Sequence, residues 1–398
     1  MRILIVDDAE DLLMVISAML ESWGYEAITC SDGQEAWDLI RREEISFIIS
    51  DWMMPGLNGL ELCRRIRVTD FGRYIYFILL TGREGKSSLI EGMDAGADEF
   101  LVKPVDKDEL RVRLRAGERV LQLERQLEER NRTLTDAYAT IRKDLEAAAK
   151  VQTGWLPKSA TLQGVRFDRL FRPCSFVAGD AFDYFALDHH HLGFYQLDVA
   201  GHGVPSALMS FSLNRMLSQG MEGRGFLKRA QGLLPTYDIN PPEQVMAELN
   251  RRFETAEDSM LYFTMVYGVI DTQTRVLTFT QAGHPPPIWV RKAQQEAVTV
   301  GHGGFPVGLL PDLDYESITL ELQEGDRLFL YSDGITECAN RANEQFSEKR
   351  LLQILDQHRD QPLGPVMSIL GDALRDWKGS EQYEDDVSLL ALEILPSN

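Results

Sequence analysis

Four short apolar runs near the start of the chain each end in a polar residue, and this pattern restricts what the N-terminal part can become. Ile3-Leu4-Ile5-Val6 leads into Asp7-Asp8, and Phe47-Ile48-Ile49-Ser50 leads into Asp51. Ile75-Tyr76-Phe77-Ile78-Leu79-Leu80 leads into Thr81, and Phe100-Leu101-Val102 leads into Lys103-Pro104. Short continuous apolar runs suit strands buried on both faces, as in a parallel sheet. Ligands of an open α/β sheet gather beyond the carboxyl ends of its strands. One face is therefore expected to collect the carboxylates of Asp7, Asp8 and Asp51, the Thr81 hydroxyl and the Lys103 ammonium.

That set suits a magnesium ion, which prefers oxygen ligands, together with a phosphoryl group. Asp7 and Asp8 would hold the metal, with Asp51 as the third carboxylate. Asp51 is also the candidate nucleophile, because a carboxylate can form an acyl phosphate. Thr81 can hydrogen-bond a phosphoryl oxygen, and Lys103 can neutralise one. A single Asp at a strand end is more often a helix N-cap. The ordered set of five polar positions is what carries weight.

These residues, with Met54-Pro55-Gly56, Gly59 and Ala95-Gly96-Ala97-Asp98, make residues 1–121 resemble the receiver domain of two-component response regulators. The resemblance implies a flavodoxin-like, doubly wound parallel sheet and phosphate transfer to Asp51 from a sensor histidine kinase. It adds Met53 to the magnesium-holding residues. It also puts Phe100 at the aromatic position that reports phosphorylation, although plain core packing explains that residue equally well.

At 398 residues the chain is long enough for two or three domains. A formal net charge of −21 argues against a nucleic-acid partner, since phosphate backbones repel so acidic a chain. No basic recognition helix in a helix-turn-helix pattern stands out either. Cys30, Cys63, Cys174 and Cys338 are scattered and read as packing residues in a reducing cytosol. No signal peptide or membrane-spanning stretch is evident, so a cytoplasmic protein without a membrane partner is expected.

From Asp106 to about Gln152 the chain lacks proline and has Gly117 as its single glycine. Val120, Leu127, Leu134, Ile141 and Ala148 recur every seven residues, while the offset row of Gly117, Glu124, Asn131, Tyr138 and Leu145 is mixed. Such a repeat favours a left-handed coiled coil, and a seam Asn fixes register. Residues 122–152 are read as a helical linker that pairs two copies into a homodimer. The alternative is a solvated helix that packs one stripe on its own receiver.

The texture changes after Gln152. The spacing predicts strands at Leu192–Leu197, Tyr262–Ile270, Val276–Thr280, Ile288–Val290 and Arg327–Tyr331. Helices are expected at Ser206–Gly220, Pro242–Glu257, Glu348–Asp360 and Pro365–Trp377. The segment is thus an α+β unit rich in antiparallel sheet. Acidic motifs stand at Gly179-Asp180, Asp198-Val199-Ala200-Gly201-His202-Gly203, Ser332-Asp333-Gly334 and Asp385-Asp386. Hard divalent cations need several carboxylates, and two such ions can acidify a water and clamp a phosphate. Taken singly, each Asp-Gly is more often a turn. His189-His190-His191 reads as a polar turn, His284 as structural, and His202 as a group beside the site.

With Leu156-Pro157, Ala282-Gly283-His284-Pro285-Pro286, Pro306-Val307-Gly308-Leu309 and Ser332-Asp333-Gly334-Ile335-Thr336-Glu337, the segment 153–398 resembles the metal-dependent PPM (type 2C) protein phosphatases, in their SpoIIE-like branch. The resemblance implies a β-sandwich flanked by helices and two Mn²⁺ or Mg²⁺ ions. It implies Asp198 as the bridging carboxylate, the Val199 carbonyl on one metal, Asp333 and Asp385 on the second, and Asp180 in support of the first. Asp386 is the weaker of its pair. The usual substrate of this branch is a phosphoserine or phosphothreonine on an anti-sigma-factor antagonist. The other reading is a non-catalytic adaptor that binds a sigma factor or regulatory partner. One departure is Ala178 where the family has glycine, which would strain the loop if that position needed a positive φ.

Overall fold

The computed structural model describes residues 1–82, 86–219, 227–231, 236–253 and 262–396. The chain divides into two compact units, Met1–Thr140 and Ile141–Asn398. In the first, strands β1 (Arg2–Val6), β2 (Glu26–Cys30), β3 (Phe47–Asp51), β4 (Tyr76–Thr81) and β5 (Glu99–Val102) form a parallel sheet in the order β2-β1-β3-β4-β5. Helices α1 (Glu10–Ser22), α2 (Gly33–Arg42), α3 (Gly59–Val68) and α4 (Lys86–Asp94) connect the strands. Strand side chains alternate between two cores. Ile3, Ile5, Phe47, Ile49 and Ile78 pack against Ile16 and Leu20 of α1 and against Leu110 and Leu114. Leu4, Val6, Ile48, Phe77 and Leu79 pack against Ile40, Leu62 and Ile66 of α2 and α3. This doubly wound sheet leaves the ends of β1, β3, β4 and β5 free to carry polar groups, as the four runs predict.

Helix α5 (Lys107–Trp155) is continuous from one unit into the other. It buries Leu110, Leu114, Gly117 and Leu121, and then turns solvent-exposed. Leu127, Leu134 and Ile141 are 54%, 69% and 60% exposed, so the seven-residue row finds no partner within its own unit. The helix stops two residues before Pro157, which cannot continue it.

The second unit is a sandwich of two antiparallel sheets. One holds β8 (Ala181–Ala186), β9 (His191–Val199), β12 (Phe263–Asp271), β13 (Val276–Ala282) and β16 (Ser317–Glu321), in the order β16-β13-β12-β9-β8. The other holds β6 (Ala160–Leu162), β7 (Val165–Arg172), β14 (Ile288–Arg291), β15 (Glu296–Thr299), β17 (Arg327–Tyr331) and β18 (Val387–Ile394), in the order β15-β14-β17-β18-β7-β6. Strands β10 (Lys228–Gln231) and β11 (Thr236–Ile239) form a separate pair. Phe167, Phe182, Phe194, Phe279, Leu330 and Leu390 meet between the sheets. Helices α6 (Val204–Gln219) and α7 (Pro242–Phe253) cover the five-stranded sheet through Leu213, Leu217, Val245 and Leu249. Beyond the one-turn α8 (Asp333–Thr336), α9 (Ser347–Gln357) and α10 (Leu363–Lys378) cover the other sheet through Leu351, Leu355, Val366 and Leu370. The expected ends of α6 at Gly220 and of α7 at residues 254–257 lie outside the described residues. Strands β7 and β8 escaped the sequence reading because charged residues interrupt them, Arg166, Asp168 and Arg169 in one and Asp183 in the other.

Candidate functional site

In the first unit, the ends of β1 and β3 bring ligand oxygens of Asp7, Asp8 and Asp51 within 4.8 Å of one another. Asp7 is fully buried, Asp51 is nearly so, and Asp8 is exposed. The Lys103 ammonium, just past β5, bridges Asp7 and Asp51 at 2.7 Å each. Its backbone N–H donates to the Thr81 carbonyl at 2.8 Å, which ties the ends of β4 and β5 together. Burial raises the Asp51 carboxyl pKa, and Lys103 only partly offsets this. Burial works against the Lys103 ammonium, but its bonds to Asp51 and Asp7 leave its pKa raised. Met53 is 60% exposed. Its thioether is too soft for magnesium, so only its carbonyl suits that ion. Asp98 is occupied elsewhere, accepting from Arg67 and from the Phe77 N–H at 2.7 Å each. Phe100 is half-buried against the core.

In the second unit, three strand ends and one loop meet. Asp198 lies near the end of β9, Asp333 opens the one-turn helix after β17, Asp385 precedes β18, and Asp180 precedes β8. Burial, then Asp198 and Asp386, pushes the Asp180 carboxyl well above its usual range. Burial with Asp333 and Asp385 pushes Asp198 up to about 7, while a hydrogen bond with Asp180 works the other way. Burial with Asp385 and Glu337 pushes Asp333 up to about 6. Asp385 is raised too, by burial and Asp386, and exposed His202 is near enough to oppose the rise. Carboxylates crowded this way repel one another, and a cation is the usual remedy. The buried Asp180 Oδ2 has no hydrogen-bond partner. This orphaned oxygen and the all-oxygen donor set fit a hard divalent ion.

Asp386 has a different task. Its carboxylate accepts the Cys174 N–H at 2.8 Å and the Gly179 N–H at 2.7 Å, so it clamps the loop that carries Asp180. Ligand atoms of Cys174, Asp385 and Asp386 lie within 4.8 Å of one another. Two glycines are required by close approach. A Cβ on Gly334 would sit 2.1 Å from the Asp386 carbonyl oxygen, and one on Gly179 would sit 3.0 Å from the Val199 oxygen. Ala178 is buried and is absent from the positive-φ residues, so its methyl costs no backbone strain.

Sequence reading gave no structural task to the end of α5. The Gln152 amide makes two hydrogen bonds to Ala178, two residues before Asp180. Trp155 stacks on Phe211 of α6, the helix that follows the Asp198 motif, with centroids 4.3 Å apart. His189 and His190 form the bend between β8 and β9, and His191 starts β9 beside Asp188. His284 is buried on Thr264, with Nδ1 2.8 Å from the hydroxyl.

The fold and its acidic sites define a receiver domain followed by a PPM-type phosphatase domain. The chain belongs to the SpoIIE family: the model of Stage II sporulation protein E matches residues 188–395, and that of the response regulator receiver domain matches residues 3–115. The phosphoserine phosphatase RsbP of Bacillus subtilis is 27% identical over 257 residues, 64% of this chain and 58% of that protein. The response regulator RppA of Synechocystis sp. is 42% identical over 121 residues, 30% of this chain and 51% of that protein. The matches thus span little more than half of either relative. The SiaA-PP2C domain of Pseudomonas aeruginosa superposes with a TM-score of 0.55 at 23% identity, covering 65% of this chain and 98% of that one. At that identity the likeness speaks for the fold. Among the described residues, no helix is long and apolar enough to cross a membrane.

Proposed function

We propose that a sensor histidine kinase phosphorylates Asp51 and thereby controls a metal-dependent phosphatase that acts on phosphoserine or phosphothreonine in a protein. The observation that carries this reading is the set of Asp180, Asp198, Asp333 and Asp385, whose pKa values are all raised by burial and by neighbouring carboxylates. The likeness to a phosphoserine phosphatase supports the substrate chemistry. An anti-sigma-factor antagonist as the phosphoprotein follows from the SpoIIE-like branch.

In the receiver, an Asp51 oxygen attacks the phosphorus of a phosphohistidine. The P–N bond breaks as the acyl phosphate forms, and Lys103 is placed to neutralise a phosphoryl oxygen. Thr81 is placed to donate a hydrogen bond. Asp7, Asp8, Asp51 and the Met53 carbonyl would hold Mg²⁺. In the second domain, Asp180, Asp198, the Val199 carbonyl, Asp333 and Asp385 would hold two Mn²⁺ or Mg²⁺ ions. When bound, such ions lower the pKa of water and neutralise phosphate charge. The chain itself supplies the fixed donor set, with Asp386 bracing the Asp180 loop.

We assign residues 1–121 to the receiver, 122–152 to a linker and 153–398 to the phosphatase domain. The exposed row Leu127, Leu134 and Ile141 supports pairing of two linkers into a homodimer. A cytoplasmic location accompanies this reading. The test is turnover of a phosphoserine peptide with Mn²⁺, with Mg²⁺ and with chelator, each with and without acetyl phosphate. Metal-dependent turnover that acetyl phosphate changes is expected. Turnover that survives chelation would overturn the metal assignment.

A further inference from the structure

A cleft of about 670 Å³ lies between β7 and α10, on a face that the metal chemistry does not use. Strand β7 is paired along its whole length with β18, from Val165↔Ile394 to Arg172↔Val387. On its other side, β6 covers only Val165, Arg166 and Phe167. Asp168–Arg172 is therefore an open sheet edge. Two of its backbone groups are held by the strand's own side chains: the Arg169 N–H donates to Asp168 Oδ1 at 2.9 Å, and the Phe171 carbonyl accepts from Arg172 Nη1 at 3.1 Å. Open edges are templates for strand addition, and local bonds of this kind can be exchanged for a ladder.

The charge of the cleft runs against that of the chain. Arg169, Arg172 and Arg375 line it, against Asp372 and Glu381, in a protein of net charge −21. Among the described residues neither Arg169 nor Arg172 forms an ion pair. Arg375 pairs with Asp372 at 2.9 Å, but both side chains are substantially exposed, so the pair is weak and exchangeable. Tyr383 lines this cleft and also a smaller one of about 170 Å³ that contains Asp385 and Gly334. Arg172 and Arg375 both act electrostatically on Tyr383. The arginine cleft is therefore next to the metal carboxylates, with one tyrosine between them.

We propose that this cleft receives an extended acidic segment of the phosphoprotein substrate, which adds as a strand to the Asp168–Arg172 edge and sets its carboxylates against Arg172 and Arg375. The inference rests on the phosphatase reading and deepens it. Main-chain bonds would give affinity, and paired arginine–carboxylate contacts would give selectivity for acidic flanks.

The test compares phosphoserine peptides that differ only in a run of four residues, glutamate or alanine, placed before or after the phosphoserine, with p-nitrophenyl phosphate as a flankless control. One glutamate peptide is expected to exceed its alanine counterpart about tenfold in kcat/KM, with the advantage shrinking as salt screens it. Arg172→Glu and Arg375→Glu should each erase the preference while leaving p-nitrophenyl phosphate turnover unchanged. Arg375 lies on an exposed helix face, so its variant decides the matter if Arg172→Glu misfolds. Alternating Glu-Pro in the run removes N–H donors and should also lose the preference. If it does not, strand addition is wrong. Normal p-nitrophenyl phosphate turnover with no glutamate preference overturns the cleft and leaves the phosphatase reading intact. If wild type turns over nothing, that reading fails, and fluorescence anisotropy of a labelled glutamate peptide on wild type and Arg375→Glu still decides the cleft: equal binding, or none, overturns it.

Discussion

The side-chain amide of Gln152 holds the backbone of Ala178 on both sides, with Nε2 donating to the Ala178 carbonyl at 2.7 Å and Oε1 accepting its N–H at 2.9 Å. Gln152 lies in the last turn of α5, and Ala178 stands two residues before Asp180. The end of the long helix is thus joined directly to the loop that carries a candidate metal ligand.

Removing that amide leaves two buried backbone groups without partners, at a cost of about 1–3 kcal/mol. Gln152→Ala should therefore lower turnover roughly tenfold and shift the metal titration to higher concentration. Unchanged activity and metal dependence in a folded variant would show that the pair has no bearing on the site.

Asp51→Asn should abolish labelling of the receiver by acetyl phosphate in Mg²⁺, and chelation should do the same to wild type. Lys103 still has Asp7 as a partner in the variant, so the fold should survive. Intact-mass measurement checks both. A phosphoryl adduct retained by Asp51→Asn would place the acceptor elsewhere.

Asp198→Ala should cost about 100-fold or more in phosphatase turnover, ~2.7 kcal/mol, and excess Mn²⁺ should not restore it. Asp180→Ala should be partly rescued by metal, because its role is support. Parallel metal titrations of the two variants distinguish these roles. Near-wild-type turnover by Asp198→Ala would favour a binding module over an enzyme.

Replacing Leu127 and Leu134 with Lys puts like charges along the linker row. Each leucine, if buried in a seam, contributes roughly 1.5–3 kcal/mol. Light scattering should then report monomers where wild type gives dimers. An unchanged dimer would put the interface off α5.

Burial pushes the His284 imidazole pKa down to about 3. The unfolded chain protonates this residue below about 6.5, whereas the folded chain keeps it neutral. The unfolded state therefore binds more protons in that window, and stability falls as pH drops through it, by up to about 1.4 kcal/mol per pH unit. Thermal melts at pH 7 and pH 5 should show a weaker pH dependence for His284→Gln than for wild type. Equal dependence in both proteins would mean that His284 is not held neutral.

Much of the receiver was legible in the sequence because a parallel strand buried on both faces reads as an unbroken apolar run. Asp7, Asp51, Thr81 and Lys103 announce themselves by ending such runs. Strand β17 is similarly clear, being fully buried from Arg327 to Tyr331. Half-exposed strands carry a weaker signal, and β7 and β8 were invisible for that reason.

What the sequence by itself determined is therefore the strand ends, the helical linker and the acidic motifs, all of which depend on short-range patterns of polarity. The tertiary structure alone decided how neighbouring residues divide their work. Asp385 and Asp386 are equivalent as text, yet the Asp386 carboxylate is spent on the N–H groups of Cys174 and Gly179, more than two hundred residues earlier in the chain, while Asp385 stays exposed. The open edge of β7 is likewise undetermined by its own sequence, because it exists only where β6 ends. Hydrogen bonds between distant segments depend on which groups the fold brings within about 3 Å, and no local pattern encodes that.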